Sequence, residues 1–285
     1  MMDQPVMRHL AERRWKKDGG LDLVMGRVYQ NKVIPDLLPD LGPTSPLSLT
    51  IASQLIEPGS MLEPKNLAKS PHLTFQPFAH ASQPTLTDRN PSGLYTLLVV
   101  DPDNPSPETQ SFSQRLQYLK SDIPLSILTG EINIFSGKGQ NLLPWEPPAP
   151  ERGSGRHRYV FILLQQPSSS PVSSILQVPA RENFNFRDFM TEEGYANTSI
   201  VGINLFRATW SEEQASFIDS VFRRYRGIES GAPAYGKPPK EMKYGYPMSA
   251  YQKRAAEAEQ EEFEKAMGEM DVAVLEADED GKVTI

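Results

Sequence analysis

The chain has no cysteine among its 285 residues, and no apolar run approaches the roughly 20 residues that a membrane-spanning helix needs. Without cysteine there can be no disulfide framework, no thiolate zinc site and no cysteine nucleophile. The sequence therefore predicts a soluble or membrane-peripheral protein, and it gives no indication of a metal or another cofactor.

Over most of the chain there is also no excess of positive or negative charge. The formal net charge is −7, but residues 241–285 hold 12 acidic and 5 basic side chains, so the first 240 residues are balanced at 24 of each. A neutral body can still bind phosphate, because a local basic cluster sets the field that a ligand meets.

A cleavable targeting segment is not visible at the N terminus. Residues 1–10 lack an apolar core, and the acidic Asp3 and Glu12 do not suit a mitochondrial presequence, which is rich in Arg and Ser. The N-terminal residues alone therefore do not indicate a compartment.

Two short apolar runs, residues 94–100 and 160–164, are predicted to be central strands. Each run is too short for an independent helix and too continuous for a strand with one solvated face, so both faces should be covered. Other alternating segments and 26 prolines favour a mainly β fold with peripheral helices, arranged as an antiparallel β-sandwich. Polar side chains that flank the two runs should lie at strand ends.

Helical patterns lie mainly outside these strands. Residues 5–17 are basic and favour a helix, and residues 21–28 repeat apolar side chains at helical spacing. Ser211, followed three residues later by Gln214, predicts a capping box at the start of an amphipathic helix that includes residues 218–225.

These patterns divide the chain into three predicted regions. They are a helical N-terminal extension at residues 1–40, the sandwich domain at residues 41–228, and a C-terminal extension at residues 229–285. The last region should be helical at first and then an acidic, disordered tail.

Two aspartates and a histidine are the main candidates for chemistry. Asp101 and Asp103 follow the first central strand, and His157 precedes the second. They could bind an anion, hold a metal or form an acid–base pair. We favour turn capping by the aspartates, because Asp-Pro and Asn-Pro begin turns and no second metal ligand is near. A serine hydrolase is disfavoured, since no Gly-x-Ser-x-Gly elbow exists and Ser154 has no required geometry toward His157.

Two separated motifs resemble the phosphatidylethanolamine-binding protein family. They are YTLLVVDPDNPS at residues 95–106 and GRHRYVF at residues 155–161, and residues 186–189 and 201–210 resemble later segments of the family in the same order. The resemblance covers about residues 45–225. It implies an antiparallel β-sandwich with a small anion pocket and no enzymatic activity. The pocket positions that it implies are Asp101, Asp103, His157 and Tyr159.

The pocket departs from the family pattern at Gln117. The family has a further histidine from a Trp-His-His stretch there, whereas residues 114–119 of this chain read QRLQYL. A neutral amide cannot supply a second cationic donor, so strong binding of a phosphate head group is not expected. A vestigial pocket is therefore one interpretation, and whether a small anion binds there is left open.

Segments of the N-terminal extension and of the sandwich domain resemble a fungal branch of this family that belongs to the large subunit of the mitochondrial ribosome. The similar segments are PVMRHL at residues 5–10, IPDLLP at 34–39, IEPG at 56–59 and PPAPE at 147–151. The resemblance implies a structural protein of the mitochondrial matrix that docks to ribosomal proteins and rRNA. The alternative is a stand-alone anion- or phospholipid-binding regulator, of the protease or kinase inhibitor type, with a working pocket.

The docking contacts that this resemblance implies are basic or aromatic. A solvated helix face explains the N-terminal cations equally well, and attraction to the helix dipole explains the later arginines. The candidate docking residues are Arg8, Arg13, Arg14, Trp15, Lys16, Lys17, Arg223, Arg224 and Arg226.

Overall fold

Two compact units make up the chain, Met1–Tyr235 and Gly236–Ile285. The computed structural model describes residues 5–40, 42–68, 71–78, 92–107, 109–126, 130–132, 134, 138–166, 178–236, 242–243, 246–247, 249–262 and 265. The predicted acidic tail at residues 271–285 lies outside these ranges. None of the helices within them is long and apolar enough to cross a membrane.

Within the described ranges, the first unit contains five α-helices and ten strands, and the second contains a two-stranded hairpin and helical residues 250–262. The helices are α1 (Pro5–Lys17), α2 (Gly20–Gln30), α3 (Val33–Asp36), α4 (Phe186–Glu192) and α5 (Ala215–Val221), with a π-helical turn (Phe222–Arg226) directly after α5. The strands are β1 (Leu47–Ile51), β2 (Gln54–Ile56), β3 (Ser60–Met61), β4 (His72–Phe75), β5 (Ser92–Ser106), β6 (Ser111–Ser126), β7 (Glu131–Ile132), β8 (Gln140–Leu143), β9 (Arg156–Gln165), β10 (Ile200–Thr209), β11 (Met242–Lys243) and β12 (Tyr246–Pro247).

The strands of the first unit form two sheets that are not closed into a barrel. The smaller sheet has the order β2-β1-β4-β7, and the larger has the order β3-β10-β9-β5-β6-β8. Pairing is antiparallel except between β3 and β10. The two apolar runs are neighbours in the centre of the larger sheet, where Leu98 pairs with Ile162. The predicted sandwich of mainly antiparallel strands with peripheral helices is therefore confirmed.

The larger sheet is buried on both faces, as its continuous apolar runs require. On one face, Leu97 packs in a cluster with Leu49 of the smaller sheet. On the other face, Leu98 packs in a second cluster with Val28 of α2 and Phe189 of α4. Successive strand residues point to opposite faces, so one strand contributes to both clusters.

The N-terminal segment belongs to this second cluster. Val28, Val33, Leu37 and Leu38 are each 0% exposed and pack against the larger sheet. Residues 1–40 and the strands of the sandwich therefore belong to one compact unit. Helix α1 differs, because only Arg8 is buried among those of its side chains that the structure describes.

Two local expectations are corrected. The capping box is absent, because the Ser211 side chain makes no capping hydrogen bond and Gln214 Oε1 instead accepts from the Lys65 amide at 3.1 Å. The Asp-Pro-Asp motif does not follow its strand but lies inside β5, which continues to Ser106 through a register shift between Asp101 and Asn104.

Candidate functional site

Asp101 connects the two motifs that the sequence singled out. Its Oδ1 accepts a hydrogen bond from the Asp103 amide at 2.9 Å, which is the predicted turn-type contact. Its Oδ2 lies 2.8 Å from Nδ1 of His157, at the start of β9. Both side chains are 1% exposed. The aspartate thus supports the local backbone and pairs with the histidine across the sheet.

The other nitrogen of His157 contacts Ser154. The distance from Nε2 to Ser154 Oγ is 2.7 Å, and the Ser154 hydroxyl donates to the carbonyl oxygen of Glu151 at 2.8 Å. A Ser–His–Asp order is therefore present, although the sequence imposes no such geometry. The Ser154 hydroxyl is within donating distance of the Glu151 carbonyl oxygen, and a protonated His157 would then donate from Nε2 to Oγ. In that form the imidazole is not a free base for a serine nucleophile.

The charges around His157 favour that protonated form. Burial by itself lowers the pKa of His157, but the Asp101 carboxylate raises it, and Asp103 and Glu151 raise it further, so the net shift is upward. His157 and Asp101 consequently form a buried ion pair rather than an open receptor for an anion.

We expect stability to fall as the pH rises through the titration of His157. A histidine whose pKa is raised by folding stabilises the folded state fully below its unfolded pKa of about 6.5, and this contribution disappears as the pH passes the folded-state value. Each pKa unit by which the folded-state and unfolded-state values of the histidine differ is worth about 1.4 kcal/mol. Urea unfolding at constant ionic strength between pH 6 and pH 9 should therefore give a free energy of unfolding that declines with pH.

The matched variant is His157→Gln, which should remove this component of the slope. Lys120, whose pKa is lowered by burial, is present in both proteins. The contribution of His157 is therefore the difference between the two curves of unfolding free energy against pH. Identical slopes in the two proteins would contradict the ion-pair assignment.

Asp103 does not face a pocket, because Arg158 takes up both of its carboxylate oxygens. Arg158 Nη2 donates to Oδ1 at 2.6 Å, and Arg158 Nε donates to Oδ2 at 2.8 Å. The same guanidinium donates through Nη1 to the carbonyl oxygens of Asn31 and Lys32 and to Asp36 Oδ2, at 2.8, 3.1 and 2.8 Å. The motif therefore holds the segment between α2 and α3 against the larger sheet.

The two remaining predicted pocket residues are fully buried. Gln117 and Tyr159 are both 0% exposed. Burial, together with the nearby Asp101 charge, raises the pKa of Tyr159 well above its usual range, so the phenol is neutral. Neither polar atom of the Gln117 amide has a hydrogen-bond partner among the residues that the structure describes. The histidine position of the family pattern is thus filled by a neutral, buried amide.

A buried cluster of ion pairs lies beside these residues and was not predicted. Glu146 is central to it, and its amide donates to the carbonyl oxygen of Gln117 at 3.1 Å. Arg115 donates to both Glu146 oxygens at 3.0 Å, and Arg226 donates to Oε1 at 3.1 Å. Arg226 also pairs with Glu151 at 3.1 Å. Only the apolar setting of Glu146, in the sequence LLPWEPPAP, could have indicated a buried acid.

An open cavity of about 210 Å³ adjoins the cluster. Arg115, Glu151 and Arg226 are among the residues that line it, together with Glu182 and Tyr235. Among the predicted pocket residues, none lines this cavity. The Arg115 and Arg226 side chains, which are 3% and 5% exposed, therefore line the cavity while they stay paired with Glu146.

The predicted docking residues divide into exposed and internal side chains. Arg13, Arg14, Lys16, Lys17, Arg223 and Arg224 are exposed. Arg8 is 7% exposed, and the Arg226 side chain is 5% exposed and paired within the cluster, so both are internal. The Trp15 ring packs on Phe78 of the same unit with 5.8 Å between ring centroids. These three side chains do not belong to an exposed docking surface.

Known proteins match the chain at both sequence and fold level. It is 25% identical over 230 residues to the large ribosomal subunit protein mL38 of Schizosaccharomyces pombe, which covers 79% of this chain and 69% of that protein. It is 34% identical over 117 residues to the 26 kDa secreted antigen of Toxocara canis, which is 39% of this chain and 42% of the antigen's length.

A solved structure shares the fold. The carboxypeptidase Y inhibitor complexed with its cognate proteinase superposes with a TM-score of 0.53 and 22% identity, over 67% of this chain and 97% of the inhibitor. Residues 52–205, more than half of the chain, match the family described as phosphatidylethanolamine-binding protein. With the Asp-Pro-Asp and Gly-x-His-Arg motifs joined at one site on the expected sandwich, the chain belongs to the phosphatidylethanolamine-binding protein family.

Proposed function

We propose that this protein is a structural component of the large subunit of the mitochondrial ribosome and has no enzymatic activity. The observation that carries the proposal is the extent of the similarity to mL38. Its 230 aligned residues exceed the length of residues 52–205, so the similarity includes segments outside the family domain. A free ligand-binding protein would have no need of the additional segments around the sandwich.

Helix α1 supports the proposal because it contributes little to the core and has exposed apolar and basic side chains. Val6 is 69% exposed and Leu10 is 50% exposed. Arg13 and Lys17 are exposed too, and the spacing of these four side chains places them on one face of the helix. An apolar stripe that continues into cations suits a subunit surface that offers both protein side chains and rRNA phosphates.

The closed pocket argues against the alternative of a stand-alone anion- or phospholipid-binding regulator. Asp101, Gln117 and Tyr159 are 0% exposed and His157 is 1% exposed. They therefore offer a head group no exposed polar surface in this structure. We therefore propose that docking surfaces, rather than a ligand, determine the role of this protein.

Gradient sedimentation of the tagged protein from mitochondrial lysate tests the proposal. At moderate salt we expect the protein to migrate with the large subunit, and to leave those fractions when magnesium is removed and the particle falls apart. The triple charge reversal Arg13→Glu, Arg14→Glu, Lys17→Glu should shift most of the protein to the top of the gradient, because phosphate contacts weaken strongly when cations are lost.

The matched control is His157→Gln, which should still migrate with the subunit. Circular dichroism must show that both variants are folded, and the three reversed side chains are exposed, so unfolding is not expected. Wild-type protein that stays at the top of the gradient, or lies outside mitochondria, would overturn the proposal and favour the ligand-binding alternative.

A further inference from the structure

Glu146 is the most enclosed carboxylate of the buried cluster, with a side chain that is 0% exposed. Three guanidinium groups surround it. Arg115 Nε and Nη2 each lie 3.0 Å from one of its oxygens, Arg226 Nε lies 3.1 Å from Oε1, and Arg181 Nη1 lies 3.5 Å from Oε2. A paired contact from one arginine with support from others is the geometry by which proteins bind free carboxylates and phosphates.

The three arginines come from separate parts of the fold. Arg115 lies on β6, Arg181 lies in the segment before α4, and Arg226 ends the π-helical turn after α5. Glu146 lies in the proline-rich segment that follows β8, 31 residues from Arg115 and 80 residues from Arg226. The three arginines therefore meet Glu146 only when the tertiary structure has formed. An ion pair between neighbouring residues of one surface helix needs no such assembly.

The cluster has more positive charge than it needs for its other acids. Glu151 pairs with Arg226, and burial is the largest cause that raises the pKa of Glu151. Glu182 contacts Arg115, but its side chain is 71% exposed. Burial and the guanidinium groups of Arg115 and Arg226 lower the pKa of Arg181, although Glu146 opposes the shift. Without Glu146, three largely buried cations would lack their shared counter-ion.

We propose that this arginine cluster is a carboxylate-binding site whose occupant is the protein's own Glu146. Glu146 takes the position that a free anion would take, and it closes the site to external ligands in the wild-type protein. The ligand class that fits this site is a small carboxylate. If the side chain of Glu146 is removed, the site should accept a small monocarboxylate that enters through the adjoining cavity of about 210 Å³.

The experiment compares the thermal unfolding of the wild-type protein and Glu146→Ala in sodium chloride and in sodium acetate of equal ionic strength. In chloride, the variant should unfold on the order of 10 °C below the wild type, because its buried arginines have lost their partner. Acetate that binds with a Kd of about 10 mM should, at about 100 mM, raise the folded-to-unfolded ratio roughly tenfold. That gain should saturate with concentration and recover a few degrees.

Two proteins control for general salt effects. Wild-type protein should show no saturable response to acetate, since Glu146 already fills the site. Glu213→Ala removes an exposed glutamate and should unfold at the wild-type temperature with no acetate response. The proposal is overturned if Glu146→Ala does not respond to acetate, or if acetate stabilises all three proteins equally.

A second comparison keeps the proposal testable if Glu146→Ala is recovered only as aggregates. Glu146→Gln preserves the volume but not the charge, so it should be destabilised. Adding Arg115→Gln to it should then restore part of the lost unfolding temperature, because it removes a buried cation whose other acidic partner, Glu182, is 71% exposed. A double variant no more stable than Glu146→Gln would show that the cluster is not a charged site built around Glu146.

Discussion

Deletion of residues 1–40 is expected to leave a chain that aggregates or stays unfolded, not a folded sandwich without an appendage. Val28, Val33, Leu37 and Leu38 are 0% exposed and pack on the larger sheet. Burial of each side chain stabilises the fold by about 2 kcal/mol. Losing four of them approaches the whole stability of a typical domain, about 5–15 kcal/mol, and exposes an apolar sheet face. Solubility and circular dichroism of the truncated protein give the measurement.

A single substitution tests the same point without removing helix α1. Leu37→Ala should lower the free energy of unfolding by about 2–5 kcal/mol, because it leaves a cavity in a close-packed core. Leu23→Ala is the matched control on α2, since Leu23 is 44% exposed, and it should change stability by about 0.5 kcal/mol or less. Equal effects of the two variants in urea unfolding would refute this account of the segment.

The second large effect is expected from Arg158→Met, which keeps most of the side-chain stem and removes the guanidinium. The substitution leaves the Asp103 carboxylate without its cation and breaks the contacts with Asn31, Lys32 and Asp36. Loss of one partner from a fully buried pair costs about 3–5 kcal/mol. Because the Arg158 and Asp103 side chains are 15% and 18% exposed, solvent screens the pair, and we expect about 2–3 kcal/mol.

Hydrogen exchange distinguishes this effect from a general loss of stability. In Arg158→Met, amides of α2 and α3 should lose protection before those of β5 and β9, because the guanidinium joins these helices to the sheet. Arg156→Met alters an exposed arginine two residues away and should leave both stability and exchange unchanged. Uniform loss of protection, with no difference between helices and strands, would contradict a local clamp.

These two predictions revise the meaning of the family motifs in this protein. Asp103 and Arg158 hold the N-terminal segment, Asp101 and His157 form a closed ion pair, and Gln117 is sealed in the interior. The predicted pocket residues thus stabilise the fold, and one of them, Asp103, holds the segment between α2 and α3 against the larger sheet through Arg158. This arrangement is consistent with a protein whose proposed role depends on its outer surfaces.

The central strands could be predicted because their cause is local. A run such as residues 94–100 has apolar side chains on both faces, and residues 160–164 repeat the pattern, so each run by itself requires a strand covered on both sides. The pairing of Leu98 with Ile162 was not predicted, because the apolar pattern of a run does not determine its partner strand. The resemblance of the two motifs then placed His157 near Asp101, which lies 56 residues away in the chain.

Other features had no local signal. Nothing around Arg226 distinguishes it from the exposed Arg223 and Arg224, because all three are cations at the end of one helical segment. Arg226 is the arginine that pairs with Glu146, which lies 80 residues away in the chain. Arg8 is a similar case, since the sequence of the basic helix does not distinguish this buried arginine from the exposed Arg13 and Arg14.

The sequence by itself determined the β-sandwich, its two central strands and the family, because side-chain alternation and contiguous motifs act between residues close together in the chain. Only the tertiary structure decided that the N-terminal segment completes the core, that Asp103 clamps this segment through Arg158, and that Glu146 lies among three arginines. Coulomb and hydrogen-bond energies depend on distances of a few ångströms between groups that the fold brings together. Charge and residue type can be read from a sequence, but the partner that neutralises a buried charge is chosen by the packing of the whole chain.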